Sequence, residues 1–299
     1  MPILRRSGIF GFATLVIAML GFTSASTARA AAASQPVIAL FTDFGWEDPY
    51  VAEMKGVILT VDPDARLLDL THTVSPFNVG EGAYLLDQSA EEFPAGTIFV
   101  AVVDPGVGME RDSILLETSK GKFFVGPDNG LFTQVIDNEG FSRAWKLDKS
   151  EYFRPGTVSS TFHGRDIFAP VAANLASGVD PDKFGTPIKT LVMLPVKEPT
   201  FSGGSISVEV LHLDRYGNVI LNFRRDGDIA AKLKEGNLVK ISIGRESYSG
   251  PLVKTYGDVE KGRLILLYGG NGLLEIAMNQ GSAAKQLKVE AGTVIFLKP

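Results

Sequence analysis

Val37-Ile-Ala-Leu-Phe-Thr-Asp43 is a short apolar run that stops on a hydroxyl and a carboxylate, with Gly45 two residues further on. A continuous run of this length reads as a strand buried on both faces and ending in a polar loop. Pro49–Val61 then places Val51, Met54, Val57, Ile58 and Val61 at helical spacing, with Asp48 expected as N-cap and Pro49 at the first position. Arg66–Leu70 reads as a second strand and Val79–Phe93 as a helix. Ile98–Val103 is a third apolar run, ending at Asp104-Pro-Gly106. Ile114–Thr118 and Lys122–Val125 read as a hairpin pair, and Ile167–Leu175 as a helix closed by Ser177-Gly178. The pattern predicts an N-terminal α/β domain with a mixed sheet over residues 36–195. Asp43 and Asp104 both lie just past the ends of apolar strands, the edge at which open α/β sheets bind ligands.

Residues 195–205 lack periodicity and hold two prolines and two glycines, which reads as a linker. Beyond it, short apolar runs at 206–213, 219–223, 238–243, 264–268, 274–278 and 294–297 alternate with Asn, Gly and Asp turns. They predict a smaller C-terminal all-β, barrel-like domain over 205–299. At the other end, Arg5 and Arg6 precede an apolar stretch from Ile9 to Phe22, and Ala28-Arg29-Ala30 follows as a small-x-small cleavage pattern. Residues 1–30 therefore read as a signal peptide, and the protein as exported, periplasmic or secreted. The apolar stretch is short of the ~20 residues that span a bilayer, so no membrane association is expected once it is cleaved.

Cleavage removes three cations and no acid, moving the net charge of −5 to −8. A mildly acidic protein argues against nucleic acid as a partner. The sequence has no cysteine, which excludes disulfides, thiolate nucleophiles and thiolate metal sites. It has three histidines and no His-Glu-x-x-His pattern, so no metal is expected. The glycine spacings fit neither a dinucleotide fingerprint nor a P-loop.

Four stretches carry candidate chemistry. Asp104-Pro-Gly-Val-Gly-Met-Glu-Arg111 is a glycine-rich loop that closes a strand and ends on an arginine able to fold back on Asp104. Thr161-Phe-His-Gly-Arg-Asp166 puts His163 at a loop-to-helix junction beside charged groups, a position for a proton carrier. His72 and His212 read as structural. Gly126-Pro-Asp-Asn-Gly130 is a strong turn, either a hairpin connection or part of a site edge. Leu213-Asp-Arg-Tyr-Gly-Asn-Val219 combines turn residues with an aromatic ring and an amide, which can stack on a base and bond its edge or simply close a turn.

With Phe41-Thr-Asp-Phe-Gly45, Asp69-Leu-Thr-His-Thr73 and Gly272-Leu-Leu-Glu-Ile-Ala277 running into Asn279, these stretches occur in one order over nearly all of residues 36–299. In this the chain resembles the SAM hydrolases (SAM hydroxide adenosyltransferases), relatives of the fluorinase and chlorinase. The resemblance implies hydrolysis of S-adenosyl-L-methionine at C5′ to adenosine and L-methionine, with no cofactor. It implies a homotrimer whose substrate lies between one subunit's N-domain and its neighbour's C-domain. Carried over by position, Asp104, Arg111 and His163 are the catalytic group, with Arg111 keeping Asp104 ionised. Asp43 would hold the ribose hydroxyls and Phe77 would line the ribose or sulfonium pocket. Tyr216 would pack on adenine, Asn218 would bond its edge, and Asp214 would meet the methionine ammonium. The stretch from Glu275 through Met278 to Gln280 would border the adenine. Halogenating members lack the acid and histidine at 104 and 163, which points here to water as the nucleophile. Two departures are Gly270-Asn271, where relatives often have serine, and the signal peptide itself. The alternatives are an exported adenosine- or SAM-binding protein without turnover, and a SAM-dependent halogenase.

Overall fold

A computed structural model describes the protein at residues 1–2 and 35–299. The expected signal peptide, 1–30, falls almost wholly outside the described residues.

The N-terminal lobe is built on seven strands: β1 (Val37–Thr42), β2 (Arg66–Thr71), β3 (Ile98–Val102), β4 (Ser113–Thr118), β5 (Phe123–Pro127), β6 (Phe141–Leu147) and β7 (Gly185–Ile188), in the order β2-β1-β3-β5-β4-β6-β7. β1, β2, β3 and β5 run parallel, while β4, β6 and β7 pair antiparallel. The mixed α/β sheet read from the sequence is therefore present. β1 is apolar from Val37 to Phe41 because both faces are covered. The helices α1 (Tyr50–Val61) and α4 (Ala169–Ala176) pack with Ile38, Leu40, Val100 and Phe168 on one side. α2 (Val79–Ala90) and α3 (Thr133–Glu139) enclose Phe41, Phe99, Phe124 and Leu86 on the other. Phe99 and Phe124 stack with centroids 4.6 Å apart.

The C-terminal lobe contains β8 (Thr200–Ser202), β9 (Ser205–Leu213), β10 (Val219–Arg224), β11 (Leu238–Ile243), β12 (Glu246–Pro251), β13 (Leu264–Tyr268), β14 (Leu273–Met278), a short helix α5 (Ala283–Leu287) and β15 (Val294–Lys298). Their order is β12-β11-β15-β9-β10-β14-β13, with β8 paired to β9. Leu252, just past β12, bridges Leu266 on β13, so the two edge strands meet and the sheet nearly closes into a barrel. Closure leaves few unpaired strand edges. Among the described residues no helix is long and apolar enough to cross a membrane.

Four local expectations change. Within 195–205, expected as a linker, Thr200–Ser202 forms β8 and pairs with β9. α1 begins at Tyr50, not Pro49, and Asp48 is not its cap: Pro49 takes that place, and its carbonyl accepts from Glu53 N–H at 2.9 Å. Gly126-Pro-Asp-Asn-Gly130 is no hairpin turn but the β5–α3 connection, and Asn129 Nδ2 donates 2.9 Å to the carbonyl of Val103. The helix expected from Ile167 is preceded by a π-helical turn, Gly164–Phe168, that carries His163 at its entry.

Candidate active site

β1 and β3 are parallel neighbours with Thr42 opposite Val102. Asp43 and Asp104 therefore leave the same sheet edge side by side. From β1 the chain passes through α1 to β2 on one flank, then crosses through α2 to β3 on the other. The two carboxylates thus occupy the crevice where the connections diverge, the usual ligand edge of such sheets.

The loop after β3 returns on itself through Val107 N–H to Asp104 C=O (3.3 Å), Met109 N–H to Gly106 C=O (3.0 Å) and Arg111 N–H to Met109 C=O (2.9 Å). Gly108, at φ +75°, lies against the Ser160 carbonyl with no space for a Cβ. This close approach lays the loop on the segment that carries His163. Arg111 donates from Nε to both Asp104 oxygens (3.2 and 3.0 Å) and from Nη2 to Oδ2 at 2.5 Å. The same Nη2 lies 2.8 Å from His163 Nδ1. Ser113 Oγ accepts Nη1 at 2.9 Å, and the Phe168 ring lies beneath the guanidinium. The pair is nearly dry: the side chains of Arg111 and Asp104 are 9% and 3% exposed. A guanidinium only donates, so His163 Nδ1 must accept, and the neutral ring carries its proton on Nε2. Burial, then the Arg111 charge, push His163 below its ordinary pKa; Asp104 and Asp166 partly oppose the shift.

Asp43 lies in the same crevice, accepting the Phe77 N–H at 2.9 Å. Burial raises its pKa; the backbone bonds offset part of that, and the charge of Asp104 adds to the rise. Phe77 has φ +67° and is 73% exposed. Trp46 and Met109, on the loops that carry Asp43 and Arg111, are also exposed.

A second group lies in the C-terminal lobe. Asp214 shapes its own turn: Oδ1 accepts Tyr216 N–H (2.9 Å) and Asn218 N–H (2.8 Å), and Oδ2 accepts Asn218 Nδ2 (2.8 Å). Much of its accepting capacity is thus spent within the turn. Gly217, at φ +83°, lets the turn press against Ser282. Tyr216 projects outward, 79% exposed, and Asn218 is buried. Tyr256 Oη donates to Glu275 Oε2 at 3.0 Å and lies 3.5 Å from Asn218 Nδ2. Burial pushes Glu275 above its ordinary range, with Tyr256 opposing and Asp214 reinforcing. Burial and the charge of Glu275 push Tyr256 to about 12. Met278 packs partly into the barrel core. Asn271 donates to the Tyr84 hydroxyl from α2 at 3.0 Å.

The structure therefore brings Asp43, Phe77, Asp104, Arg111 and His163 together, and gathers Asp214, Tyr216, Asn218 and Glu275 elsewhere. No hydrogen bond or ion pair among the described residues joins the groups directly. A cleft of about 730 Å³ between the lobes, lined by α2, residues 194–199 and β9, contains none of the first five. Sequence reasoning missed Ser113, Asn129, Tyr84 and Tyr256, whose roles depend on contacts across space. Asn129 alone lay in a stretch already singled out. His72 is wholly buried between Thr42 Oγ1 (2.8 Å) and Asp69 (2.9 Å), and His212 Nδ1 meets Glu81 at 2.6 Å. Among the described residues, no three His, Asp or Glu side chains are arranged to hold a metal ion.

Comparison with known proteins agrees across both lobes. The SAM hydroxide adenosyltransferase N-terminal domain matches residues 38–185 and the C-terminal domain of the same name matches 208–296. A (R)-S-adenosyl-L-methionine hydrolase of Methanocaldococcus jannaschii is 38% identical over 263 residues, covering 85% of this chain and 92% of that protein. Its counterpart from Thermus thermophilus is 37% identical, covering 86% and 97%. A fluorinase of Nocardia brasiliensis is 28% identical, covering 88% and 97%. A crystal structure of an uncharacterized conserved protein from Thermotoga maritima superposes with TM-score 0.83 at 35% identity, covering 88% of this chain and all of the other. With both domains matched in order along one chain, the protein belongs to the SAM hydroxide adenosyltransferase family.

Proposed function

We propose that this protein hydrolyses S-adenosyl-L-methionine to adenosine and L-methionine, with Asp104, Arg111 and His163 governing the attacking water. The observation that carries the reading is the continuous Asp104–Arg111–His163 chain at the sheet edge, with its acid–guanidinium pair nearly dry. A protein that only bound a nucleoside would have no use for it.

The water oxygen attacks C5′ from the side opposite sulfur. The C5′–S bond breaks, its electron pair stays on sulfur, and one proton is released. Positive charge disappears from the sulfonium, so a dry pocket does not oppose the step. The protein supplies position and a proton acceptor. His163 Nδ1 is occupied by Arg111, so its Nε2–H serves as a donor that orients the water. Asp104 keeps lone pairs beyond those facing Arg111, and we assign it the proton. Asp43 then holds the ribose hydroxyls beside Phe77. Tyr216 packs on adenine with Asn218 at its edge, Glu275 through Met278 border it, and Asp214 meets the ammonium while shaping the turn.

One chain carries two separated half-sites with exposed aromatic rings at each. This supports a homotrimer in which a second copy's C-terminal lobe covers the N-terminal half-site. Residues 1–30 support export, which N-terminal sequencing of the mature protein would test at Ala31. The activity itself is tested by incubation with the substrate in chloride-containing and chloride-free buffer. Adenosine and methionine in both are expected. A halogenated nucleoside, or unchanged substrate, would refute the hydrolase reading.

A further inference from the structure

Phe77 holds a backbone conformation that is unfavourable for any residue with a Cβ, at φ +67°. Bonds on both sides keep it there. Its own N–H is held by Asp43 Oδ2 at 2.9 Å. Two residues earlier, Ser75 N–H donates to Glu81 Oε2 at 3.1 Å, and Asn78 N–H closes on the Ser75 carbonyl at 3.1 Å. Asn78 Oδ1 caps α2 by accepting Glu81 N–H at 3.0 Å.

Glu81 is unusual for a carboxylate in the first turn of a helix. It is 7% exposed, and its second oxygen receives His212 Nδ1 at 2.6 Å from β9 of the other lobe. The Tyr84 ring flanks His212, with centroids 6.0 Å apart. Burial pushes Glu81 upward, but the bonds from His212 and Ser75 outweigh it and hold the carboxyl below its ordinary range. Capping a helix requires neither burial nor a partner in a second lobe. Both features make sense if the carboxylate is a fixed point from which the 75–77 loop hangs.

We infer that Glu81 is a positioning residue for the reaction: through the Ser75 amide it sets Phe77 and Asp43, and His212 fixes its own orientation. The inference rests on the role proposed above for Asp43. It also ties that loop to the strand entering the Asp214 turn, since His212 lies two residues before Asp214.

The test uses the full chain and the variants Glu81→Gln, Glu81→Ala and His212→Ala. It reads kcat, KM, the pH profile, thermal unfolding, and amide exchange at Ser75 and Phe77. Glu81→Ala should raise KM about tenfold with a smaller fall in kcat, the pattern of lost substrate grip rather than lost chemistry. Exchange at Ser75 and Phe77 should quicken, and the acid limb of the pH profile should stay in place because His163 is untouched. Glu81→Gln keeps an oxygen for Ser75 and should leave KM and exchange close to those of the unmodified protein; His212→Ala should fall between. A folded Glu81→Ala with unchanged KM and unchanged exchange at both amides overturns the inference. So does a loss of kcat that merely tracks loss of folded protein. Should Glu81→Ala fail to fold, unaltered exchange in His212→Ala would decide against it. If the unmodified protein leaves the substrate intact, the hydrolase reading fails, while the exchange data still judge whether Glu81 holds the loop.

Discussion

The two residue groups proposed as half-sites, one in the N-terminal lobe and one in the C-terminal lobe, are built on opposite plans. Asp104, Arg111 and His163 come from a strand end, a loop return and the entry of a π-helical turn, and they meet in one chain of charge-assisted bonds whose Asp104–Arg111 pair is nearly dry. Asp214, Tyr216 and Asn218 lie within five residues and hold their shape through the bonds of one turn, with Tyr216 open to solvent. Convergent, desolvated charge is what proton management requires, because a low local dielectric strengthens each interaction. A locally closed turn with an outward ring suits a flat base, which needs a platform more than a charge.

The sharpest challenge to this contrast is His163→Ala or Asp104→Asn. Either should lower kcat by ~10²-fold or more while substrate still binds. Binding by calorimetry beside steady-state kinetics checks it, and full activity in either variant removes that residue from the chemistry. Tyr216→Ala should act on the other axis, raising KM about tenfold with little change in kcat, from the ~1–3 kcal/mol of a base–aromatic stack. A loss confined to kcat would erase the distinction between the two regions.

Mixing the two kinds of variant probes whether the halves belong to different copies. At substrate well below KM, co-refolded His163→Ala and Tyr216→Ala chains should exceed the mean of the separate variants, since some sites would combine two intact halves. Activity equal to the mean would place both halves in one chain.

The smallest expected effect concerns pH. His163 is held below the ordinary histidine value by burial and by Arg111. It is therefore neutral at pH 7, and the ring accepts from Arg111. Its contribution to stability and activity is complete above the unfolded pKa of ~6.5 and is lost as pH falls through the lower folded value. kcat/KM should be flat through neutrality, with an acid limb below ~6.5. A limb centred above that value would contradict the Nδ1-acceptor arrangement.

Much of the fold was legible because burial leaves a periodic trace. The unbroken apolar runs of β1 and β3 betray strands covered on both faces, and the carboxylates past their ends mark the ligand edge. α3, β6, β7 and β12 left weaker traces. α3 is seven residues long, and β7 contains Pro187 at its pairing with Trp145. The Asp214 turn was readable because the bonds by which Asp214 shapes it are local. Tyr256 was not, since it reaches Asn218 and Glu275 from a segment with no motif of its own.

Residue order alone was enough to assign two lobes, the strand-end acids and the family-like stretches, because strand burial and turn chemistry act over a few neighbouring positions. Which nitrogen of His163 faces Arg111, how Gly108 seats its loop on Ser160, and the grip of Glu81 on both Ser75 and His212 came only from the folded chain. Except for the Glu81–Ser75 bond, which spans six positions, those contacts join residues about fifty to more than a hundred positions apart, and their distances and desolvation exist only after packing brings the segments together.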